Sequence, residues 1–243
     1  MNVITGKLTE EELDRVIRES SRIGDVGNRI AALSGEFLGT DYREHTLVGG
    51  RNTPEVLVAN LEGVDCFTFI DYVEAMRISA SFSGFIGNLQ KIRYREGRIT
   101  FEDRNHFFTD WRESNVVLVE DATGEIGKSA AVKVRKILNV KKDGACWVAG
   151  IRPVQREMEY IPAGALDGKV LNGLSTGDYA GIYSDAPGLD VSHVGIIIKD
   201  EGNIYLRHAS SRHNKVLDEE FRKYIHGKPG VIILRPLAGM HKA

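Results

Sequence analysis

One cysteine and two histidines are the residues of this sequence whose types and positions could do chemistry together. Cys66 stands where a glycine-containing loop meets a strongly apolar segment, directly after Asp65, a residue type that often caps helices. At a helix N-terminus, the peptide dipoles and free N–H groups favour negative charge and lower the pKa of a thiol. The other interpretation is an inert buried cysteine that fills space. Position alone leaves both interpretations open.

The histidines lie on the two strands of the clearest hairpin in the chain, HVGIIIK followed by NIYLRHAS. If the turn is centred near residues 200–202, His193 and His208 point to the same face, either directly opposed or diagonal by two residues. One imidazole could then act as a base toward a thiol while the other orients it. A lone strand histidine is more often structural, but two on one face favour a site.

The elements that must position these residues indicate an α+β fold, with helices first and antiparallel strands later. A T-x-x-E capping box predicts a helix beginning after Thr9, apolar spacing predicts a second over residues 26–38, and Cys66 begins a third. The third helix is expected to bury one side, formed by Phe69, Ile70, Val73, Ala75 and Met76.

Short β-like runs begin at Ile92, in the order KIRYREGRITF, NVVLVED, VKVRKILNV and ACWVAGI. The REGR turn in the first run is interpreted as a hairpin, and GALDGKVLNGLSTGD as a glycine-rich loop before the strand YAGIYS. We expect residues 1–243 to form a single domain, with an N-terminal helical part over residues 1–40 and a main part over residues 41–243, for which the resemblance described below implies a papain-like catalytic core.

Composition excludes several classes of protein. A net charge of −2 over 243 residues argues against a nucleic-acid binder. No apolar run approaches the roughly 20 residues of a membrane-spanning helix. The N-terminus shows no signal peptide, so a cytoplasmic location is expected; a trimmed sequence or a signal-independent route would instead fit a periplasmic or exported protein. C-x-x-C and H-E-x-x-H spacings are absent, so neither a metal nor another cofactor is expected.

Three weaker patterns have ordinary explanations. The run GEIGKS mimics a phosphate-binding loop, but Ala122 stands where that motif needs its first glycine, so we reject it. The run NHFFTDW, residues 105–111, is either a loop that caps the core or a wall of a substrate cleft. Cys146 has no chemical neighbours in the sequence pattern and is interpreted as filler.

Together these motifs resemble the N-acetylmuramoyl-L-alanine amidase-like family, within the NlpC-type papain-like cysteine peptidases. The motifs occur in family order over residues 29–236: FLGTDY, NLEGVDCFTFIDYV, NHFFTDW, EYIP, GLDVSHVGIIIK and LRHASSRHNKV. The resemblance implies a papain-like core, in which a helix carries the nucleophile at its N-terminus and packs on an antiparallel sheet that supplies the histidine.

The resemblance also implies residue roles and a substrate. Cys66 is the expected nucleophile, His193 the general base and His208 the orienting residue, and the backbone N–H of Cys66 is the expected oxyanion donor. The expected reaction is hydrolysis of the amide between N-acetylmuramic acid and L-alanine in peptidoglycan fragments. Four further positions match family motifs and are expected to contact substrate: Asp65, His106, Trp111 and Tyr160.

Two departures bear on specificity. Related endopeptidases carry D-C-S-G at the nucleophile, whereas here Phe67 and Thr68 follow Cys66. The missing serine argues against a strict γ-D-glutamyl endopeptidase and favours an amidase. Phe107 also replaces a tyrosine expected in relatives, which removes a hydroxyl. The alternatives are a stem-peptide endopeptidase and a non-catalytic muropeptide-binding module.

Overall fold

A computed structural model describes residues 2–238, in which the chain forms eight α-helices and fourteen β-strands. The helices are α1 (Glu10–Ser20), α2 (Val26–Gly35), α3 (Cys66–Arg77), α4 (Phe82–Arg93), α5 (Phe108–Ser114), α6 (Thr123–Gly127), α7 (Gly168–Gly173) and α8 (Phe221–Ile225). The strands are β1 (Asn2–Ile4), β2 (Asp41–Tyr42), β3 (Val48–Gly50), β4 (Thr53–Val56), β5 (Val58–Asn60), β6 (Gly63–Val64), β7 (Val119–Asp121), β8 (Val132–Leu138), β9 (Val154–Pro162), β10 (Tyr179–Tyr183), β11 (Val191–Asp200), β12 (Asn203–Ser210), β13 (Lys215–Glu220) and β14 (Gly230–Pro236).

Ten of these strands form one mostly antiparallel sheet, in the order β6-β2-β13-β12-β11-β10-β14-β9-β8, with β7 also paired to β14. Two small sheets accompany it, β1 with β5 and β3 with β4. The α+β prediction is therefore confirmed. The β11–β12 hairpin, which carries both histidines, lies at the centre of the large sheet.

Both faces of the sheet centre are covered by helices. Val194 and Ile196 of β11 belong to the apolar core that includes the α3 residues Phe69 and Ile70. Successive side chains of a strand point to opposite faces, so Ile197 points to the other face. There it packs in a second core with Phe221 of α8. The sheet thus separates α3 on one face from α7 and α8 on the other.

Helix α3 is buried on every side, whereas the sequence pattern predicted one buried side. All residues from Thr68 to Arg77 are buried, because α2, α4 and the sheet surround the helix. A helix in such a place can carry charged side chains only if each finds a partner. Glu74 pairs with Arg77 at 2.6 Å and accepts the hydroxyl of Tyr179 at 2.7 Å.

The second buried carboxylate of α3 is held from neighbouring helices. Asp71 lies 2.8 Å from Nε of Arg93, on α4, and it accepts the indole N–H of Trp111, on α5, at 2.9 Å. Both partners of the ion pair are almost completely inaccessible to solvent. These bonds fix α3, and with it Cys66, relative to α4 and α5.

The predicted starts of the first two helices are confirmed. The side chain of Thr9 accepts the N–H of Glu12, and the Glu12 side chain accepts the N–H of Thr9, which completes the capping box. Helix α2 begins at Val26 after the cap Asp25 but ends at Gly35, three residues earlier than predicted. The HVGIIIK and NIYLRHAS strands are confirmed as β11 and β12.

Several predictions for the middle of the chain are wrong. KIRYREGRITF is not a hairpin: α4 runs to Arg93 and a single 3₁₀ turn follows over residues 95–97. Phe85, Leu89 and Ile92 lie at helical spacing and are all buried, so the period of 3.6 decides the conformation. ACWVAGI is not a strand but part of the connection between β8 and β9, with one isolated bridge from Val140 to Cys146.

Two other segments differ in part. Of NVVLVED only Val119–Asp121 forms a strand, β7, whereas VKVRKILNV and YAGIYS form β8 and β10. The glycine-rich segment contains a short helix, α7, because Asp167 caps it through the N–H groups of Lys169 and Val170.

Candidate active site

The start of α3 is fixed by a capping box at Asp65. Oδ1 of Asp65 accepts the backbone N–H groups of Phe67 at 3.0 Å and Thr68 at 2.7 Å, and Oγ1 of Thr68 accepts the N–H of Asp65 at 3.0 Å. The predicted cap is confirmed, and it makes Cys66 the first helical residue. The expected contact of Asp65 with substrate stays a prediction.

The Cys66 thiol is half-buried, and the backbone N–H of Val194, on β11, is near enough to favour its anion. The N–H groups of Cys66 and Phe67, at the start of the helix, also favour the anion. Burial nevertheless dominates and, with the nearby Asp65 carboxylate, raises the pKa of Cys66 to about 12. The expectation of a lowered thiol pKa is therefore wrong for this resting site, in which the sulfur carries its proton.

The thiol lies where two central strands separate. Pairing between β11 and β12 extends from Asp200 and Asn203 at the turn to Ile196 and Arg207, while β12 goes on pairing with β13 as far as Ser210. The N–H and C=O groups of Ile197 both form hydrogen bonds toward the β10 side. Since the backbone groups of successive residues in a strand point to alternate sides, the N–H of Val194 points toward β12. That N–H lies beyond the paired part of the hairpin and near the sulfur of Cys66.

The two histidines are in direct contact. Nε2 of His193 lies 2.7 Å from Nδ1 of His208, and the two rings are almost perpendicular, with centroids 4.8 Å apart. Continuing the observed register places His208 opposite Gly195, so the two histidines are diagonal by two residues, as one of the two predicted arrangements requires. A Cβ at Gly195 would lie 3.0 Å from the Cβ of His208, so glycine leaves the imidazole room.

Glu219 is a member of this cluster that the sequence analysis did not find. Its Oε2 lies 2.8 Å from Nε2 of His208. In the β12–β13 pairing, His208 faces Leu217 and Leu206 faces Glu219, so the carboxylate is again diagonal by two. The strand register that predicted His193 and His208 on one face, applied to the β12–β13 hairpin, also predicts Glu219 beside His208.

The carboxylate sets the proton positions along the line of side chains. An ionised Glu219 can only accept, so Nε2 of His208 carries a proton and its Nδ1 accepts from Nε2–H of His193. Neutral His193 is then left with a lone pair on Nδ1. Burial, together with His208 and Lys228, lowers the pKa of His193 to about 3, which keeps this imidazole neutral at rest.

Tyr224, on α8, packs against both imidazoles. Its ring centroid lies 4.9 Å from that of His208 and 6.0 Å from that of His193. Burial raises the pKa of Tyr224, and the nearby Cys66 and Glu219 raise it further. The phenol therefore stays protonated and shields the histidines on the α8 side.

A cavity of about 750 Å³ opens beside the histidines. Its walls come from the ends of β11, β12 and β13, from α8 and from the segment after α8: Ser192, His193, His208, Ser210, Ser211, Arg212, Glu219, Glu220, Lys223, Tyr224, His226 and Lys228. His193 and His208 thus line a space large enough for a ligand.

The other predicted contact residues lie outside the walls of this cavity. Trp111 is completely buried in the core that surrounds α3, and its expected contact with substrate stays a prediction. Nε2 of His106 lies 2.7 Å from the carbonyl oxygen of Phe101, and burial lowers the pKa of His106 to about 4. Tyr160 stacks on Tyr183 with ring centroids 3.8 Å apart.

The class defined by the fold is an α+β protein, in which a half-buried thiol at the first turn of a buried helix and a histidine pair on the adjoining sheet are candidate site residues. Residues 32–231 match the model of the AmiA-like family, which is described as N-acetylmuramoyl-L-alanine amidase-like. The chain belongs to this family. The resemblance found in the sequence is confirmed at that level.

Solved structures agree with this assignment. An N-acetylmuramoyl-L-alanine amidase from Bacteroides uniformis is 27% identical, with a TM-score of 0.72, over 87% of this chain and 98% of that one. A protein from Bacteroides fragilis, described as a proposed xylanase, is 28% identical, with a TM-score of 0.68, over 84% of this chain and 99% of that one. A Legionella pneumophila protein shares the fold at 22% identity, with a TM-score of 0.78, over 94% and 95% of the two chains. None of the curated proteins matches.

Residues 2–238 contain neither a helix suited to span a membrane nor a cluster suited to hold a metal ion. None of the helices there combines the length and apolar character that crossing a membrane requires. In the same residues, histidine, cysteine, aspartate and glutamate side chains do not gather in groups of three or more that could hold a metal ion.

Proposed function

We propose that the protein is a cysteine amidase of papain-like, NlpC-type fold that hydrolyses the amide between N-acetylmuramic acid and L-alanine in peptidoglycan or its fragments. The observation that supports it best is the line of side chains from His193 through His208 to Glu219, next to the residue whose backbone influences Cys66. The two contacts of this line measure 2.7 and 2.8 Å, and the N–H of Val194, the residue after His193, favours the anion of the Cys66 thiol. Family membership supplies the substrate class.

The first half of the reaction forms a thioester. Nδ1 of His193 takes the thiol proton as the sulfur attacks the carbonyl carbon, and the backbone N–H of Cys66 stabilises the negative oxygen. The protonated His193 then gives this proton to the alanine nitrogen. The carbon–nitrogen bond breaks, and the peptide leaves as an amine.

The second half restores the enzyme. His193 takes a proton from water as the water oxygen attacks the thioester carbon, and the sulfur leaves as a thiolate that recovers the proton from His193. The products are the muramic acid carboxylate and the free peptide. Glu219 acts through His208, because its negative charge stabilises the positive charge that the histidine pair gains in each half.

Two alternative reactions fit less well. A γ-D-glutamyl endopeptidase is disfavoured because Phe67 and Thr68 replace the serine and glycine of those enzymes. Glycoside hydrolysis uses two carboxyl groups at the scissile bond. Here the two carboxylates of the cavity are engaged: Glu219 with His208, and Glu220 with the N–H groups that begin α8.

The deciding experiment is digestion of defined muropeptides with product masses read by mass spectrometry. We expect release of a free stem peptide that begins with L-alanine, and no release with Cys66→Ala. Cys146→Ala is the matched control, since Cys146 is exposed and lies on the connection between β8 and β9, and it should cleave like wild type. Intact substrate with wild type, or equal cleavage by Cys66→Ala, would refute the proposal; fragments cut inside the peptide would identify the endopeptidase instead.

A further inference from the structure

Three cationic side chains line the cavity beside the histidines, and none of them forms an ion pair with a carboxylate among residues 2–238; Lys228 lies over the ring of Tyr224, 5.8 Å from its centroid. Arg212 follows β12, Lys223 lies on α8 and Lys228 follows that helix. Among residues 2–238, the ion pairs closer than 4 Å include none of the three. All three are exposed, although the chain as a whole carries a net charge of −2. The positive charge is therefore concentrated locally.

The two carboxylates of the same cavity bond to other groups and form no ion pair with these cations. Glu219 bonds to His208 at 2.8 Å. Glu220 accepts the N–H groups of Arg222 at 3.0 Å and Lys223 at 3.2 Å, which caps α8. Lys228 is close enough to His193 to contribute to lowering the pKa of that imidazole. An anion held by Lys228 would thus also interact with the histidine pair.

The need for proton transfer from His193 indicates which part of the substrate lies in this cavity. The imidazole that protonates a leaving nitrogen must lie within hydrogen-bond reach of it. The leaving group in the proposed reaction is the stem peptide, and the cavity that His193 lines has a volume of about 750 Å³. Small-ligand sites commonly measure about 300–1,000 Å³. The peptide thus has room on the α8 side of the histidines.

We propose that this cavity is the subsite for the peptide part of the substrate, in which Arg212, Lys223 and Lys228 bind the carboxylates of an acidic stem peptide. This inference rests on the proposed amidase function. Serine hydroxyls of Ser192, Ser210 and Ser211 also line the cavity and can donate to the same carboxylates. The sugar then lies on the other side of Cys66, away from α8.

Binding to the inactive full chain tests the subsite without catalysis. Cys66→Ala is titrated calorimetrically with the free tetrapeptide L-Ala-γ-D-Glu-meso-diaminopimelyl-D-Ala, and with the same peptide bearing amides in place of its side and terminal carboxylates. We expect the acidic peptide to bind more tightly. Adding Lys223→Gln, Lys228→Gln or Arg212→Gln should weaken its binding about three- to tenfold each, with little effect on the amidated peptide.

Lys142→Gln is the matched control, because Lys142 is an exposed lysine on the β8–β9 connection. It should leave binding of both peptides unchanged. Equal affinity for the acidic and amidated peptides, or three glutamine variants that bind like the parent, would overturn the subsite. Charge-dependent binding by a wild-type protein that cleaves no muropeptide would overturn the amidase and leave the subsite standing, so the two failures are distinguishable.

Discussion

Nε2 of His208 lies 2.8 Å from Oε2 of Glu219, and this contact orders the hydrogen bonds as far as His193. A carboxylate can only accept, so it orients one imidazole, which in turn orients the next. His193, the proposed base, is therefore oriented by a residue two contacts away. This relationship makes Glu219 a positioning residue and suggests how to test it.

Glu219→Gln should lower kcat about 10- to 100-fold with a small change in KM, the range typical for partners that orient a functional histidine. Glutamine can donate as well as accept, so it no longer fixes the proton on Nε2 of His208, and it lacks the charge that stabilises an imidazolium. The measurement is kcat as a function of pH on a defined muropeptide. A purely structural role would change the unfolding free energy and leave the shape of the pH profile intact.

Two variants complete that test. Glu219→Asp keeps the charge and should recover part of the lost kcat. Glu157→Gln removes an exposed carboxylate that pairs with Arg135 on the sheet edge, and it should have no effect. Wild-type kcat in Glu219→Gln would show that the line of bonds does not serve catalysis.

The Cys66 thiol should react slowly with iodoacetamide at neutral pH. Burial raises its pKa to about 12, so the thiolate fraction is small at pH 7 and grows about tenfold for each pH unit. Peptide mass spectrometry of protein alkylated between pH 6 and pH 10 gives the rate at each cysteine. Exposed Cys146 is the internal reference.

We expect Cys66 to lag behind Cys146 at pH 7 and to keep accelerating up to pH 10. A fast, pH-independent reaction of Cys66 below pH 7 would instead indicate a stable thiolate–imidazolium pair. That outcome would contradict the neutral resting site, while leaving the roles of Cys66 and His193 intact.

Local sequence patterns predicted the parts of the candidate site that depend on residues close together in the sequence. The Asp65 cap, the helix that begins at Cys66 and the diagonal of His193 and His208 each follow from spacing within one helix or one hairpin. The position of Glu219 beside His208 could be predicted in the same way, because the β12–β13 hairpin has an equally regular register. The parity of a strand fixes such neighbours before any tertiary structure is known.

Features set by tertiary packing were not predictable in this way. The pKa of Cys66 is raised because the sheet and α3 remove solvent, which helix position does not reveal. Trp111 stands in a motif of mixed polar and aromatic residues, and only the partner Asp71, forty residues earlier, explains its burial. The sequence pattern did not predict the end of helix α4, because the alternating charged residues around Arg93 resemble an exposed strand.

The protein should lose stability as pH falls below about 6.5. Burial lowers the pKa of His106 to about 4 and that of His193 to about 3, so between these values and 6.5 the unfolded chain binds protons that the folded chain does not. Stability is then complete above the unfolded pKa and declines with acid. For His106 alone, the loss between pH 7.5 and pH 5 is about 2 kcal/mol.

Urea unfolding at pH 7.5 and pH 5 measures this loss, with His106→Gln as the comparison. Glutamine can still donate to the carbonyl of Phe101 but does not titrate. The variant should therefore lose about 2 kcal/mol less than wild type between the two pH values. An identical pH dependence for both proteins would show that His106 is already accessible to protons in the folded state.

The buried pair of Asp71 and Arg93 should be the most sensitive ion pair of the fold. Asp71→Ala leaves the guanidinium and the Trp111 indole without their shared acceptor, so we expect a loss of about 3–5 kcal/mol in unfolding free energy. The exposed pair of Arg135 and Glu157 is the matched control, and Glu157→Ala should change stability by less than about 1 kcal/mol. Denaturant titration compares both variants; similar small losses would mean that water reaches Arg93 and replaces its partner.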